Sequence, residues 1–292
     1  MKKGLLRSGR RYFVCVVAFV LVILLPALRA YTAINYLSPN RPYFTGSFAA
    51  APPETATSLT VVSYNIWFGE DIDQALIDLK EIGAQRSLGV ILLQEMDEIG
   101  TEHIAQELKM NYVYFPAAIE PTYDRNFGNA ILSSWPISDA QKLILPHKSL
   151  SNRMIRTATR ATVHLPQGDV LVYSLHAESI FSMPQFKREQ YLTVLQDIPS
   201  AAKWVVIGGD FNTFTPGAVD DLNDVYQPAG FISAAQQAGA SVVKFGVELP
   251  SDHIFVKGFD VPSAGKLTSA AASDHLPIWV TLIPKQRKDN GS

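Results

Sequence analysis

The chain has 292 residues, 47% of them hydrophobic and 18% charged, with a formal net charge of −2 at pH 7. That length supports one large core, and α/β domains of this size often stay undivided. Its single cysteine, Cys15, excludes an internal disulfide and a cysteine-rich zinc site.

Charge is unevenly distributed. The first 58 residues hold seven basic residues and one acid, and the tail from Lys285 holds three basic residues and one acid. Of the 25 basic and 27 acidic residues in the chain, 15 and 25 therefore fall in residues 59–284, a formal charge of about −10 for the body. A duplex DNA binder normally carries a basic footprint, and this body has at most a local patch at Arg153, Arg156 and Arg160.

Lys2, Lys3, Arg7, Arg10 and Arg11 precede an uncharged apolar stretch, Tyr12 to Leu28. Residues 1–30 thus read as a transmembrane anchor at the short end of the spanning range, or as a signal helix. Cleavage after Ala30 would put Leu28 where a small residue is preferred, so the favoured reading is an uncleaved anchor. The basic flank predicts a cytoplasmic N-terminus and a body on the exported side, periplasmic or extracellular, or secreted if the segment is cleaved. Residues 31–58, with Pro39, Pro42, Pro52 and Pro53, read as a Pro-rich linker.

From Leu59 the pattern becomes regular. Strands are predicted over 59–65, 89–95, 129–133, 157–165, 170–176, 204–210, 252–256 and 276–282. Helices are predicted over 72–85, 99–109 and 184–197, the last with proline at its first position. Residues 285–292 read as a basic flexible tail. Mixed strands and helices of this kind fit a layered α/β domain spanning 59–284.

Six polar motifs sit where these apolar runs begin or end: Ser63-Tyr64-Asn65, Leu93-Gln94-Glu95, Ser174-Leu175-His176, Gly209-Asp210-Phe211-Asn212, Ser251-Asp252-His253 and Ser273-Asp274-His275-Leu276-Pro277. Taken singly each has a plain alternative. Glu95 looks like a strand-terminal surface acid, Asp210-Phe211-Asn212 like an Asx turn, and Asp252 like a strand cap. Together they suggest several strands delivering carboxylates, amides and imidazoles to one rim. Metal-assisted phosphoester hydrolysis requires those groups, and Mg²⁺ needs only one or two carboxylates because it keeps its waters.

The order and content of these motifs resemble the endonuclease/exonuclease/phosphatase superfamily, which includes deoxyribonuclease I. The resemblance runs from about Leu59 to Leu282. It implies a four-layer α/β/β/α sandwich of the deoxyribonuclease I type, with a divalent-metal site at one end. Carried over by motif, Glu95 corresponds to the principal metal ligand, with Asn65 and Asp274 as supporting ligands or water-mediated contacts. Asp210 corresponds to the residue that orients or deprotonates the attacking water, and Asn212 to the one that holds a phosphoryl oxygen. His275 corresponds to the histidine beside the scissile phosphate, with Asp252 fixing its tautomer, and His176 to the second phosphate-contacting histidine. The choice of formal base between Asp210 and His275 stays open. Asn129 and Arg160 are candidates for substrate binding.

The expectation is a membrane-tethered hydrolase acting on phosphoester bonds with Mg²⁺, or Mn²⁺ in its place. Its substrate would be a lipid headgroup, a small phosphodiester or nucleic acid, and no feature calls for a protein partner. A DNA or RNA endonuclease of the same fold and a catalytically silent anchored binding module are the alternatives.

Overall fold

Alternation along the strands decides the layers. In the strand Leu59–Asn65, Leu59 and Val61 join one apolar cluster while Val62 and Tyr64 join another on the opposite face. The computed structural model of the chain describes residues 32–50, 54, 57–179, 182–244 and 246–285. Two large sheets stack face to face. The first runs edge to edge through Ile34–Asn35, Asn111–Glu120, Arg125–Ser133, Leu88–Met96, Leu59–Asn65, Ile278–Pro284 and Phe259–Lys266, and Phe44–Gly46 also pairs with Asn111–Glu120. The second runs through Ile232–Ser233, Asp252–Lys257, Trp204–Asp210, Gly168–His176, Ile155–Leu165 and Ile137–Lys148.

The inward side chains of both sheets make the central core: Val61, Val90, Leu92 and Ile131 from the first meet Val163, Val172, Val206 and Ile254 from the second. Each such burial contributes on the order of 1.5–3 kcal/mol. The outer face of the first sheet is covered by helices Ile72–Gln85 and Glu98–Glu107 through Ala75, Leu79, Ile82 and Ile104. The outer face of the second is covered by helices Pro184–Asp197 and Pro216–Tyr226 through Tyr191, Val194, Leu222 and Tyr226. The result is the expected four-layer α/β/β/α sandwich. Helix starts are capped locally: Asp71 accepts from the Gln74 N–H, Asp97 from Gly100 and Thr215 from Ala218.

Three long strands were not read from the sequence: Asn111–Glu120, Ile137–Lys148 and Phe259–Lys266. Each contains a proline at a register shift: Pro116 borders one, and Pro146 and Pro262 fall inside theirs. Proline cannot donate to a ladder, so it sits where the ladder is already broken, and it disguises the strand. The helix Pro216–Tyr226 was also unread.

Part of the stretch read as a linker is structured. Ile34–Asn35 pairs with Ile119 and Ala118, and Phe44–Gly46 with Tyr114 to Tyr112. The buried Lys142 ammonium holds this arm by donating to the carbonyls of Tyr36 at 2.8 Å, Pro116 at 3.0 Å and Arg41 at 3.5 Å. Backbone pairing outweighs the composition that suggested a linker. The apolar run Tyr12–Leu28 and the tail 286–292 lie outside the described residues. Among the described residues, no helix is long and apolar enough to cross a membrane.

Candidate active site

The parallel pairs Leu59–Asn65/Leu88–Met96 and Gly168–His176/Trp204–Asp210 all point their C-terminal ends to the same end of the sandwich. The antiparallel strand Asp252–Lys257 begins there, so His176, Asp210 and Asp252 are register neighbours across the second sheet. This is a direct consequence of polar residues terminating apolar runs: the sheets bury the runs and the rim collects the ends.

Two features of the backbone bring the side chains closer still. Gly209 has φ +148, and a Cβ there would lie 1.8 Å from the Leu175 carbonyl oxygen, so only glycine lets the two strands approach this tightly. Trp67, Phe68, Glu95 and Asn212 all have positive φ. Left-handed backbone at non-glycine residues is costly and gathers at functional sites. Glu95 stands at a bulge between Leu93 and Met96, which turns its carboxylate into the rim.

That carboxylate accepts from the Asn65 side-chain amide at 3.2 Å and from the Phe68 N–H at 3.0 Å. Asp210 is buried and fully engaged. Its Oδ1 accepts from the Ser251 hydroxyl at 2.7 Å and the Asn212 N–H at 2.8 Å, and its Oδ2 from the amides of Asn65 at 3.1 Å and Asn212 at 3.2 Å. His176 Nε2 lies 3.7 Å from Glu95 Oε1 and 3.6 Å from Asp210 Oδ2. His275 Nε2 lies 3.9 Å from Asp210 Oδ2, and its Nδ1 is 2.7 Å from Asp252 Oδ2. Ser241 donates to the same Asp252 oxygen at 2.5 Å.

Burial pushes the Glu95 carboxyl up, against the pull of His275 and Arg156. Burial acts the same way on Asp210, but the His275 charge and the donors from Ser251 and Asn212 outweigh it and hold that carboxyl below its ordinary value. Burial, aided by the Arg156 charge, brings His176 down to about 3. For His275 burial works downward too, yet the carboxylates of Asp252, Asp210 and Asp274 overcome it and push the ring up to about 10. The rim therefore sets the carboxylates of Glu95, Asp210 and Asp252 beside one neutral and one cationic imidazole.

The sequence matches the endonuclease/exonuclease/phosphatase family over residues 62–275, most of the chain and every residue of this rim. The chain belongs to that family. Among solved structures, an endonuclease/exonuclease/phosphatase from Beutenbergia cavernae superposes with TM-score 0.64 at 19% identity, covering 78% of this chain and 72% of its own. A Danio rerio TDP2 complexed with single-strand DNA product superposes with TM-score 0.62 at 18% identity, covering 77% and 99%. These likenesses establish the fold. A UPF0294 protein of Vibrio vulnificus is 26% identical over 134 residues, 44% of this chain and 45% of that protein, so the match spans under half of either.

Family members generally use divalent metals, and the donors here fit one. Glu95, His176 and Asp210 each offer a ligand atom within 4.8 Å of the others, as do Asp210, Asp252 and His275. Carboxylate oxygens dominate the first group, which suits a hard cation. Burial raises the Glu95 carboxyl, and a cation held there would offset that cost.

Of the residues expected at a site, Asn65, Glu95, His176, Asp210, Asn212, Asp252 and His275 come together. Asn65 does so differently from a ligand: its Oδ1 accepts from the Trp67 N–H and its Nδ2 bridges the two carboxylates. Asp274 stands at the rim, partly exposed, with Oδ1 3.9 Å from His275 Nε2. Asn129 is one layer behind, donating to the Thr157 carbonyl at 2.7 Å, and Thr157 pairs with His176. Arg160 is elsewhere. It reaches Asp197 at 3.2 Å on the outer face of the second sheet, where Tyr173 also donates to Asp197. Position along the strand decides this: Arg156 precedes Thr157, the partner of His176 at the rim, whereas Arg160 pairs with Tyr173 further from the rim.

Arg156 takes the place that Arg160 was expected to fill. It donates to His176 Nε2 at 3.3 Å, so the ring proton in this arrangement sits on Nδ1, and it pairs with buried Glu178 at 3.7 Å. Sequence reasoning also missed Ser251 and Ser241, whose hydroxyls anchor Asp210 and Asp252, and Lys187, which donates to the Asn212 carbonyl at 2.8 Å. His253, adjacent to Asp252, faces away and bonds Thr213 at 2.6 Å.

Proposed function

We propose that the chain is a Mg²⁺-dependent phosphodiesterase, tethered by its N-terminal segment with the rim on the exported side. The observation that carries the reading is the meeting of Glu95, Asp210, His176 and His275 within 3.6–3.9 Å at the ends of paired strands. Each group matches a requirement of phosphoester hydrolysis. A bound Mg²⁺, or Mn²⁺ in its place, supplies Lewis-acid polarisation of a phosphoryl oxygen, and Glu95 would hold it, with Asp210 and Asp274 beside it.

The other tasks fall to the protein. Asp210, fixed by four donors, accepts a proton of the attacking water and aims its oxygen at phosphorus. His275 donates to Asp252 through Nδ1, which leaves Nε2 to face the phosphoryl group. Asn212 and the His176–Arg156 pair supply donors where charge develops on the phosphoryl oxygens. The charge of the body, about −10, favours a compact phosphoester over a long polyanion.

The test is hydrolysis by the full-length protein in detergent, with and without Mg²⁺, of bis-p-nitrophenyl phosphate, phospholipids in mixed micelles, and single- and double-stranded DNA. Mg²⁺-dependent release of p-nitrophenol is expected. No turnover of any ester would refute the function, and turnover restricted to DNA would make the protein a nuclease.

A further inference from the structure

The chain enters the fold at the mouth of the candidate site. Ala33 donates its N–H to the Asn152 carbonyl at 2.9 Å and packs with Phe127, Met154 and Phe68. Asn35 then ties itself to the same loop: its amide donates to the Arg153 carbonyl at 3.0 Å, and its Oδ1 accepts from the Ile155 N–H at 2.7 Å. Phe127, in the same apolar cluster as Ala33, lies 5.7 Å from the His176 ring, and Arg156 follows directly after this loop. The arm continues away from the mouth along the edge of the first sheet.

The uncharged run Tyr12–Leu28 ends only three residues before Thr32. Four Cα-to-Cα steps of about 3.8 Å span at most about 15 Å. Wherever that run ends in a bilayer, Thr32, where the chain enters the fold, lies within about that distance of Leu28.

The mouth is also dressed for a bilayer. Leu150 in the loop that receives the arm is 63% exposed, Met183 at the start of helix Pro184–Asp197 is 62% exposed, and Val243 and Val247 of one hairpin are each 56% exposed. That hairpin is rooted at the site, because Val242 bridges His275 and Ser241 bonds Asp252. Trp67, next to Asn65, is exposed as well. Lys148 and Arg153, both exposed, flank Leu150 and add the positive charge that anionic headgroups attract. Exposed apolar side chains on loops beside a polar cleft, with basic residues flanking one of them, fit a lipid surface.

We infer that the catalytic mouth faces the bilayer in which the chain itself is anchored, and that its substrate is the phosphodiester of a membrane phospholipid. This rests on the phosphodiesterase reading. In the reaction water adds to phosphorus and one ester P–O bond breaks. The departing oxygen takes up a proton, leaving a phosphomonoester and an alcohol.

Two measurements on full-length protein in phosphatidylethanolamine–phosphatidylglycerol vesicles test it. In a Cys15→Ser background, an environment-sensitive label is attached at Leu150→Cys or, as a control at the opposite end of the sheets, at Ile283→Cys. A doxyl quencher high on the lipid acyl chain should quench the first label severalfold more than the second. Mg²⁺-dependent hydrolysis of phosphatidylglycerol should accompany hydrolysis of soluble bis-p-nitrophenyl phosphate. The double variant Leu150→Glu/Val247→Glu should lose about tenfold or more of the lipid activity, since two apolar insertions are removed, and should keep the soluble activity. Equal quenching at both labels, or soluble turnover with no lipid turnover, overturns the inference and leaves the proposed function standing. Absence of turnover on both esters overturns the function and the inference with it.

Discussion

Removing either half of the buried Asp252–His275 pair should cripple turnover, and removing both should cost little more than removing the histidine. The contact is short, 2.7 Å, and closed from solvent on both sides, with Ser241 fixing the same carboxylate oxygen. A hydrogen bond between charged groups is worth about 1.5–3 kcal/mol. At about 1.4 kcal/mol per factor of ten, losing the orientation it provides costs about 10–150-fold in rate. Loss of the imidazole itself removes general acid–base or electrostatic help worth about 10²–10⁴-fold. Asp252→Ala should therefore lower kcat on bis-p-nitrophenyl phosphate by about two orders of magnitude and His275→Ala by three or so. The double variant should match His275→Ala, because the carboxylate acts only through the ring. Saturating Mg²⁺ and a thermal melt on each variant separate chemistry from folding. A double variant whose loss equals the product of the single losses, about 10⁵-fold, would show that the two side chains act independently, and Asp252 would be a structural strand cap.

Glu95→Gln should reduce Mg²⁺-dependent turnover by about three orders of magnitude, while the metal-free protein melts no lower than the parent, because a buried charge near Asp210 has gone. The rise in Tm that Mg²⁺ gives the parent through binding to the folded state should vanish in the variant; a retained rise would move the metal elsewhere. Gly209→Ala should cost more than about 3 kcal/mol in urea denaturation, since its Cβ would meet the Leu175 carbonyl at 1.8 Å on a backbone with φ +148; a loss under about 1 kcal/mol would mean the strands can separate freely. Lys142 should make stability rise in alkali. Burial brings its ammonium down to about 8, below the unfolded value of about 10.4, so both states are charged below pH 8 and the cost of burying the charge is present in full. Between those values the folded state sheds its proton first and that cost fades. Comparing urea midpoints of the parent and Lys142→Met across that window should show a rise in the parent alone, and limited proteolysis should find residues 36–43 cut faster in the variant.

Local pattern made much of this protein legible in the sequence. A run of apolar residues closed by a polar one is visible without knowing what the run packs on, so the ends at Asn65, Glu95, His176 and Asp210 could be named and their strands placed to within a few residues. The helix Ile72–Gln85 was readable from its apolar spacing, and Pro184–Asp197 from the proline at its first position. Strands that carry a proline at a register shift were not, because only the partner strand reveals that the ladder is already interrupted there.

The tertiary structure decided matters that depend on which surfaces meet. It chose Arg156 for the rim and sent Arg160 to Asp197, although both lie on one strand, because Arg156 stands at the rim end beside His176 and Arg160 stands further back, opposite Tyr173. It turned Asn65 so that its amide bridges Glu95 and Asp210. It recruited Ser251, which stood in its motif without a role, and Ser241, which has no sequence signal, to fix two buried carboxylates. It folded a proline-rich stretch back as an edge strand, because unpaired N–H and C=O groups at a sheet edge accept any chain that reaches them, whatever its composition. Sequence periodicity records how a segment buries its own side chains; which buried polar group meets which, and where the chain enters the fold, follow only from contacts between segments far apart in sequence.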